Sequence, residues 1–294
     1  MMPDLCFAYG SSADEEEWRG WCARNAVDPG GISPGSAALL PDRCLAFESD
    51  PTSRGGVLTV RARIGGYVQG VLFRVASAGR DALERKARAS GPYQPVSRTV
   101  ILPDGAAVAA IVYERAASGP RAVAPPTDDD LRLVRRFVAV HGIDAGPLES
   151  AARCEEGCHV LLDVFAYGTL MQGEVRHAPA VRADLLSVTP AHTRGRLHDL
   201  GSYPAMVLDG TAAAREVEGE ILTFADAATA LPMLDRIEGA RSDCVPGGPY
   251  RRTIVTVTDA SGRARPAWAY VVERARVASA PIIPSGSWRR RRRA

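Results

Sequence analysis

Short apolar runs closed by glycine-bearing turns recur along this chain in a fixed order, twice. LCFAYG ends at Gly10 and LLDVFAYG ends at Gly168. Each predicts a buried strand entering a loop, because an apolar run of this length bounded by a turn suits a strand covered on both faces. GYVQGVLF around Gly70 and REVEGEIL around Gly219 follow, each with Val-x-Gly leading into the alternation of a half-buried strand. Next come two helical segments, DALERKARA and LPMLDRIEG, and then the tripeptide GPY, ending at Tyr93 and at Tyr250.

Beyond these tyrosines the two series run in register. Tyr93 to Gly105 and Tyr250 to Gly262 are both 12 residues, and Tyr93 to Tyr113 and Tyr250 to Tyr270 are both 20. Each span predicts a β-hairpin turning at Asp104-Gly105 or Ser261-Gly262. A period of 157 residues is too long for a solenoid and implies a duplicated domain. Between the copies, ASGPRAVAPPTDDD is a proline-rich break leading into DDDLRLVRRFVAVHG. There, acidic residues favour a helix start and Leu131, Val134, Phe137 and Val138 make one apolar face, so a helix ending at Gly142 packs on the first copy. The expected domains are residues 1–155 and 160–294.

Composition narrows the chemistry. The 294 residues suffice for two cores of ordinary size, and a formal net charge of +2 is too small to imply a polyanionic partner. The one basic run, Arg289 to Arg293, reads as a solvated, frayed tail rather than a nucleic-acid or membrane patch. No stretch reaches the roughly 20 apolar residues of a membrane span and no basic-then-apolar leader opens the chain, so a cytoplasmic protein is expected. Six cysteines in this length suit reduced thiols rather than a disulfide scaffold. Cys154, Cys158 and His159 lie together but lack a second ligand pair at zinc-like spacing, so no metal site is assigned. Lys86 is the only lysine, which leaves little room for Schiff-base chemistry. GISPG at 31–35 matches G-x-S-x-G, yet Pro34 after the serine and the loop-like surroundings do not fit a nucleophile elbow.

Taken together in this order, the strand ending in YGSS or YGTL, the later LDRIEG, GPYRR and the closing AWAYV resemble the gamma-glutamylcyclotransferase-like proteins. The first copy is similar to the glutathione-type branch through WRGWCARN and ALLPDRCLAFES. The second is similar to the gamma-glutamylamine cyclotransferase branch through FAYGTLMQGEVRH and RLHDLGSYPAMV. The resemblance implies an α+β protein of two tandem domains, each a small mixed β-barrel flanked by helices with a cavity at one end. It places substrate on the backbone of Tyr167, Gly168, Thr169 and Leu170, with Tyr250 nearby, and makes Glu238 the proton-transfer residue. Family members often carry a basic residue where Met171 stands, so contacts at the cavity rim differ here.

The implied reaction is chemically economical. A gamma-glutamyl compound carries its own nucleophile, an α-amine that attacks the γ-carbonyl, closes 5-oxoproline and releases the attached amine. The enzyme has only to hold the chain curled, take a proton from the α-ammonium and return one to the departing nitrogen. One carboxylate serves for both if burial raises its pKa toward working pH. No metal or cofactor is needed, and the partner is a small gamma-glutamyl molecule. Alignment on the leading leucines sets Ala87 where Glu238 stands, so the first copy is expected to be silent. Its Tyr9, Gly10, Ser11 and Ser12 remain as a possible non-catalytic pocket. Two alternatives stay open: a binding or scaffold protein, and removal of a gamma-glutamyl protecting group from a biosynthetic intermediate.

Overall fold

The computed structural model describes residues 4–10, 14–91, 93–115, 121–178, 184–208, 210 and 214–291. The chain divides into two compact units. One comprises Met1–Leu102 with Val108–His159, and the other Val160–Ala294 with the turn Pro103–Ala107.

In the first unit the order is β1 (Asp4–Ala8), α1 (Glu15–Arg24), β2 (Ser36–Glu48), β3 (Val57–Val75), α2 (Ser77–Ala89), β4 (Tyr93–Ile101), β5 (Ala107–Arg115), α3 (Asp128–Val140) and α4 (Gly146–Ala152). The strands are ordered β1-β5-β4-β2-β3, and β3 pairs back on β1, which closes a five-stranded barrel. It is mixed: β1 runs antiparallel to β3 but parallel to β5. Phe7, Leu40, Phe47, Val100 and Val112 fill it together with Phe137 from α3. The acidic start of α3 is capped by Thr127, whose side chain accepts from the Asp130 N–H, and left-handed Gly142 follows its end. A second apolar cluster, with Trp18, Trp21 and Leu83, joins α1 and α2 to the barrel wall.

The second unit repeats the plan after the short β6 (His159–Val160). Its elements are β7 (Asp163–Ala166), β8 (Leu185–Asp199), β9 (Pro204–Val207), β10 (Arg215–Phe224), α5 (Ala227–Glu238), β11 (Arg251–Asp259) and β12 (Ala264–Val271). The order β10-β7-β12-β11-β8 closes through a β10–β8 pairing, again with one parallel contact, β7 on β12. Phe165, Ile221, Val257 and Trp268 are buried in its core.

The registers repeat as well. Ala8 faces Val71 across the first barrel and Ala166 faces Glu220 across the second. Beside each pair stands a glycine that no other residue can replace without movement. A Cβ on Gly70 would lie 2.3 Å from the Ala8 carbonyl oxygen, and a Cβ on Gly219 would lie 2.3 Å from that of Ala166. The repeated Val-x-Gly is thus where one strand presses against the strand that carries the loop.

One sequence expectation is corrected at the C-terminal run. Arg289 binds the Glu220 carboxylate at 2.9 Å and the Gln172 carbonyl at 2.6 Å. Arg290 pairs with Glu218, and the Arg291 guanidinium lies over the Trp288 ring. These three are anchored by acidic partners on β10 and a neighbouring aromatic face, not frayed. Ser33 of GISPG is spent on backbone, accepting a hydrogen bond from the Arg74 N–H at 3.1 Å.

Candidate active site

Strand β7 delivers Tyr167 at its end, and the chain turns at once: the Met171 N–H donates to the Gly168 carbonyl at 3.0 Å. The segment folds back so that the Arg176 N–H reaches the Thr169 carbonyl at 2.9 Å. The Gln172 N–H is taken by the Glu220 carboxylate, the same group that Arg289 binds. Among the described residues, none of the N–H groups of Gly168, Thr169 and Leu170 has a protein acceptor. Adjacent N–H groups without a protein acceptor in a tight turn are the kind of backbone that can receive an anion. Gly168 is required by a close approach, since a Cβ there would meet the Pro204 ring at 2.4 Å.

Helix α5 brings in the carboxylate. Asp226 caps its start by accepting from the Ala228 and Thr229 N–H groups, and Gly239 ends it in the left-handed conformation. Glu238 is therefore its last residue, 8% exposed. Burial pushes its carboxyl up to about 7, against a smaller lowering by the Arg176 guanidinium. The negative end of the helix dipole acts in the same upward direction. Arg176 Nη1 lies 3.9 Å from Glu238 Oε1, while its guanidinium also covers the Tyr203 ring.

Below these groups a buried network fixes the floor. The Tyr250 hydroxyl donates to the Pro204 carbonyl at 2.6 Å. The Tyr167 hydroxyl donates to the Tyr270 carbonyl and accepts from the Met206 N–H. The Tyr270 hydroxyl in turn donates to Asp235 at 2.7 Å, and Asp235 pairs with Arg252, whose guanidinium stacks on Trp268. Asp235 precedes Glu238 by one helical turn, so this chain of contacts ties the orientation of α5 to the barrel.

Tyr167, Gly168, Thr169, Leu170, Glu238 and Tyr250 all line one cleft, joined by Pro204. The cleft is half open to solvent and has a volume of about 20 Å³, room for one water-sized group. Sequence reasoning did not find Arg176, Pro204, Asp235 or Arg252. Asp235 and Arg252 sat inside the quoted LDRIEG and GPYRR without a stated role. Nothing in the spacing of Arg176 signals that the loop folds back over Glu238.

The first unit presents the same frame with different contents. Tyr9 donates to the Tyr113 carbonyl at 2.6 Å, as Tyr167 does to Tyr270, and the Tyr93 hydroxyl donates to the Leu58 carbonyl. Tyr9, Gly10, Tyr93 and Ala87 line a cavity of about 560 Å³. No carboxylate occupies the place of Glu238; instead the Lys86 ammonium, 8% exposed, meets Glu17 at 3.3 Å on the cavity wall. Burial lowers the Lys86 pKa. Glu84 is held between Arg80 and Arg88 on the surface of α2. Ser11 and Ser12 lie outside the described residues.

Among the described residues, no three metal-binding side chains converge. His159 pairs with Asp144 and stacks on Tyr67. No described helix is long and apolar enough to cross a membrane.

A small closed barrel whose cleft is lined by a buried carboxylate and by the loop after its first strand defines the second unit. Residues 164–290 match the family model described as gamma-glutamyl cyclotransferase, AIG2-like. Among solved structures, a gamma-glutamyl cyclotransferase is 22% identical, with 51% of this chain and 85% of that chain covered and a TM-score of 0.38. A Homo sapiens protein titled uncharacterized is also 22% identical, covering 52% and 86% with a TM-score of 0.40. YkqA from Bacillus subtilis is 16% identical, and its alignment spans both units, covering 92% of this chain and 84% of that chain with a TM-score of 0.36. No curated protein matches the chain.

Proposed function

We propose that the second unit is a gamma-glutamyl cyclotransferase in which Glu238 is the general acid and base. The observation that carries this reading is the buried Glu238 carboxyl, at about 7, lining the same cleft as Gly168 to Leu170, whose N–H groups have no protein acceptor among the described residues. The family match over residues 164–290 supports it.

In this reading the substrate α-carboxylate lies against the free N–H groups and the exposed side of Arg176, and the α-ammonium occupies the small space beside Glu238. Ionised Glu238 takes a proton from the ammonium, and the freed amine attacks the γ-carbonyl. The C–N bond of the ring forms, the bond to the leaving nitrogen breaks as protonated Glu238 gives it a proton, and the second proton lost by the attacking nitrogen passes to the released amine, which departs as the ammonium. A pKa near 7 suits both halves, since the group must accept and release within one turnover. Arg176, 3.9 Å from Glu238 and partly exposed, is the cation this cleft offers to a substrate carboxylate. The leaving amine points to the open mouth, so amines, peptides and protected biosynthetic intermediates all remain candidate substrates.

The test is incubation of the full chain with a panel of gamma-glutamyl amines, gamma-glutamyl peptides and glutathione, reading 5-oxoproline. Release is expected from at least one free-amine substrate and from none of the N-acetylated analogues. Amine release from an acetylated analogue would mean that water is the nucleophile and would overturn the cyclisation.

A further inference from the structure

Six cysteines are described and all are free thiols, but two of them face each other. Leu45 on β2 forms an isolated antiparallel bridge with Gly157, its N–H donating to the Gly157 carbonyl at 2.8 Å. In an antiparallel pair the residues next to a hydrogen-bonded pair form a non-hydrogen-bonded pair, with Cα atoms about 4.5 Å apart and side chains on one face. Here those residues are Cys44 and Cys158. That separation lies inside the roughly 4.4–6.8 Å range a disulfide needs.

The side chains meet as the backbone requires: the two thiols lie close enough to shift each other's ionisation in opposite directions. A Cβ on Gly66 would come within 3.0 Å of the Cys158 sulfur, so β3 closes over the pair from the side. Cys44 is buried while Cys158 is half-buried, which gives a reagent one sulfur to reach.

We propose that Cys44 and Cys158 are an oxidation site that forms an intramolecular disulfide by exchange with a low-molecular-weight disulfide. One sulfur attacks the reagent as its thiolate and releases one thiol, leaving a mixed disulfide. The neighbouring sulfur then displaces the second thiol. The protein loses two electrons and two protons, and the reagent is reduced to two thiols.

The hydrogen bond from Cys158 lowers the pKa of Cys44, and Arg61 and Arg63 act in the same direction. The same pairing and burial raise the pKa of Cys158, so Cys44 is the more acidic thiol of the two. No backbone movement is needed, because the opposed strands already set the geometry. The link would close a long loop, from β2 to the end of the first unit with only β1, α1 and the start of β2 outside it, and long loops are those in which a cross-link restricts the unfolded chain most.

The full chain is titrated with glutathione disulfide, then alkylated and read by intact mass, thiol count and tryptic mapping. The expected result is a fall of two hydrogen masses, a drop from six thiols to four, and one cross-linked pair joining the Cys44 and Cys158 peptides. The oxidised protein should melt roughly 5 °C or more higher. Cys44→Ser and Cys158→Ser should each abolish the link, whereas Cys154→Ser should leave it. A link between Cys154 and Cys158 would overturn the proposal. So would a stable mixed disulfide on Cys158, or six thiols persisting under conditions that oxidise dithiothreitol.

Discussion

Replacing Glu238 by glutamine tests the energetics and the chemistry of the cleft together. The carboxyl rises from an ordinary 4.5 to about 7 because it is buried. At about 1.4 kcal/mol per pH unit, this shift corresponds to about 3 kcal/mol between its charged and neutral forms. The folded state holds the proton more tightly than the unfolded chain. The stability this gives is fully present below about pH 4.5 and is lost as pH rises through about 7. Glutamine has the shape of the neutral acid and never ionises, so the variant escapes that loss. Urea unfolding followed by intrinsic fluorescence should find the two proteins alike at pH 4. At pH 8 the variant should be more stable by up to about 3 kcal/mol. Turnover should meanwhile fall roughly 10²–10⁴-fold, the usual contribution of a positioned acid–base group. A stability difference that stays constant from pH 4 to pH 8 would refute the burial argument, and substantial turnover by the folded variant would refute the catalytic one.

Removing Arg176 takes away the one group that lowers Glu238; in Arg176→Gln the ascending limb of the kcat/KM profile, expected near pH 7, should move to higher pH, and KM should rise as the carboxylate anchor is lost. Asp235→Asn removes the charge of the carboxylate that pairs with the buried Arg252 guanidinium and accepts from the Tyr270 hydroxyl, and should cost roughly 1–3 kcal/mol of stability in urea unfolding. Glu84→Gln changes a surface carboxylate between two arginines in the first unit, so 5-oxoproline formation should be unaltered within error.

The presence of two barrels of one plan was legible because β-hairpins preserve register: equal Tyr-to-Gly and Tyr-to-Tyr spacings survive only if both turns and both strand lengths do. The loop Tyr167–Leu170 and Glu238 were readable for a related reason. Each ends an element, and ends carry punctuation, a glycine in both cases. Arg176 was hidden because its place depends on a non-repetitive turn in which the backbone doubles back to Thr169. The anchored arginines of the C-terminal run were misread because their partners, Glu218 and Glu220, lie about 70 positions upstream, where a local charge count does not look. Lys86 was discounted on number alone, and composition carries no information about which cavity a single side chain lines.

The two crowded glycines make the molecule its own control experiment. Alanine at Gly219 would press on the Ala166 carbonyl, directly before Tyr167, and tilt the loop that presents the free donors. Alanine at Gly70 would press in the same way on Ala8, directly before Tyr9, where no counterpart of Glu238 waits. The steric insult is matched to the tenth of an ångström at its nearest atom. Comparable losses of melting temperature with a fall in turnover only for Gly219→Ala would separate damage to a fold from damage to a site, a distinction that a single-copy enzyme cannot offer within one polypeptide.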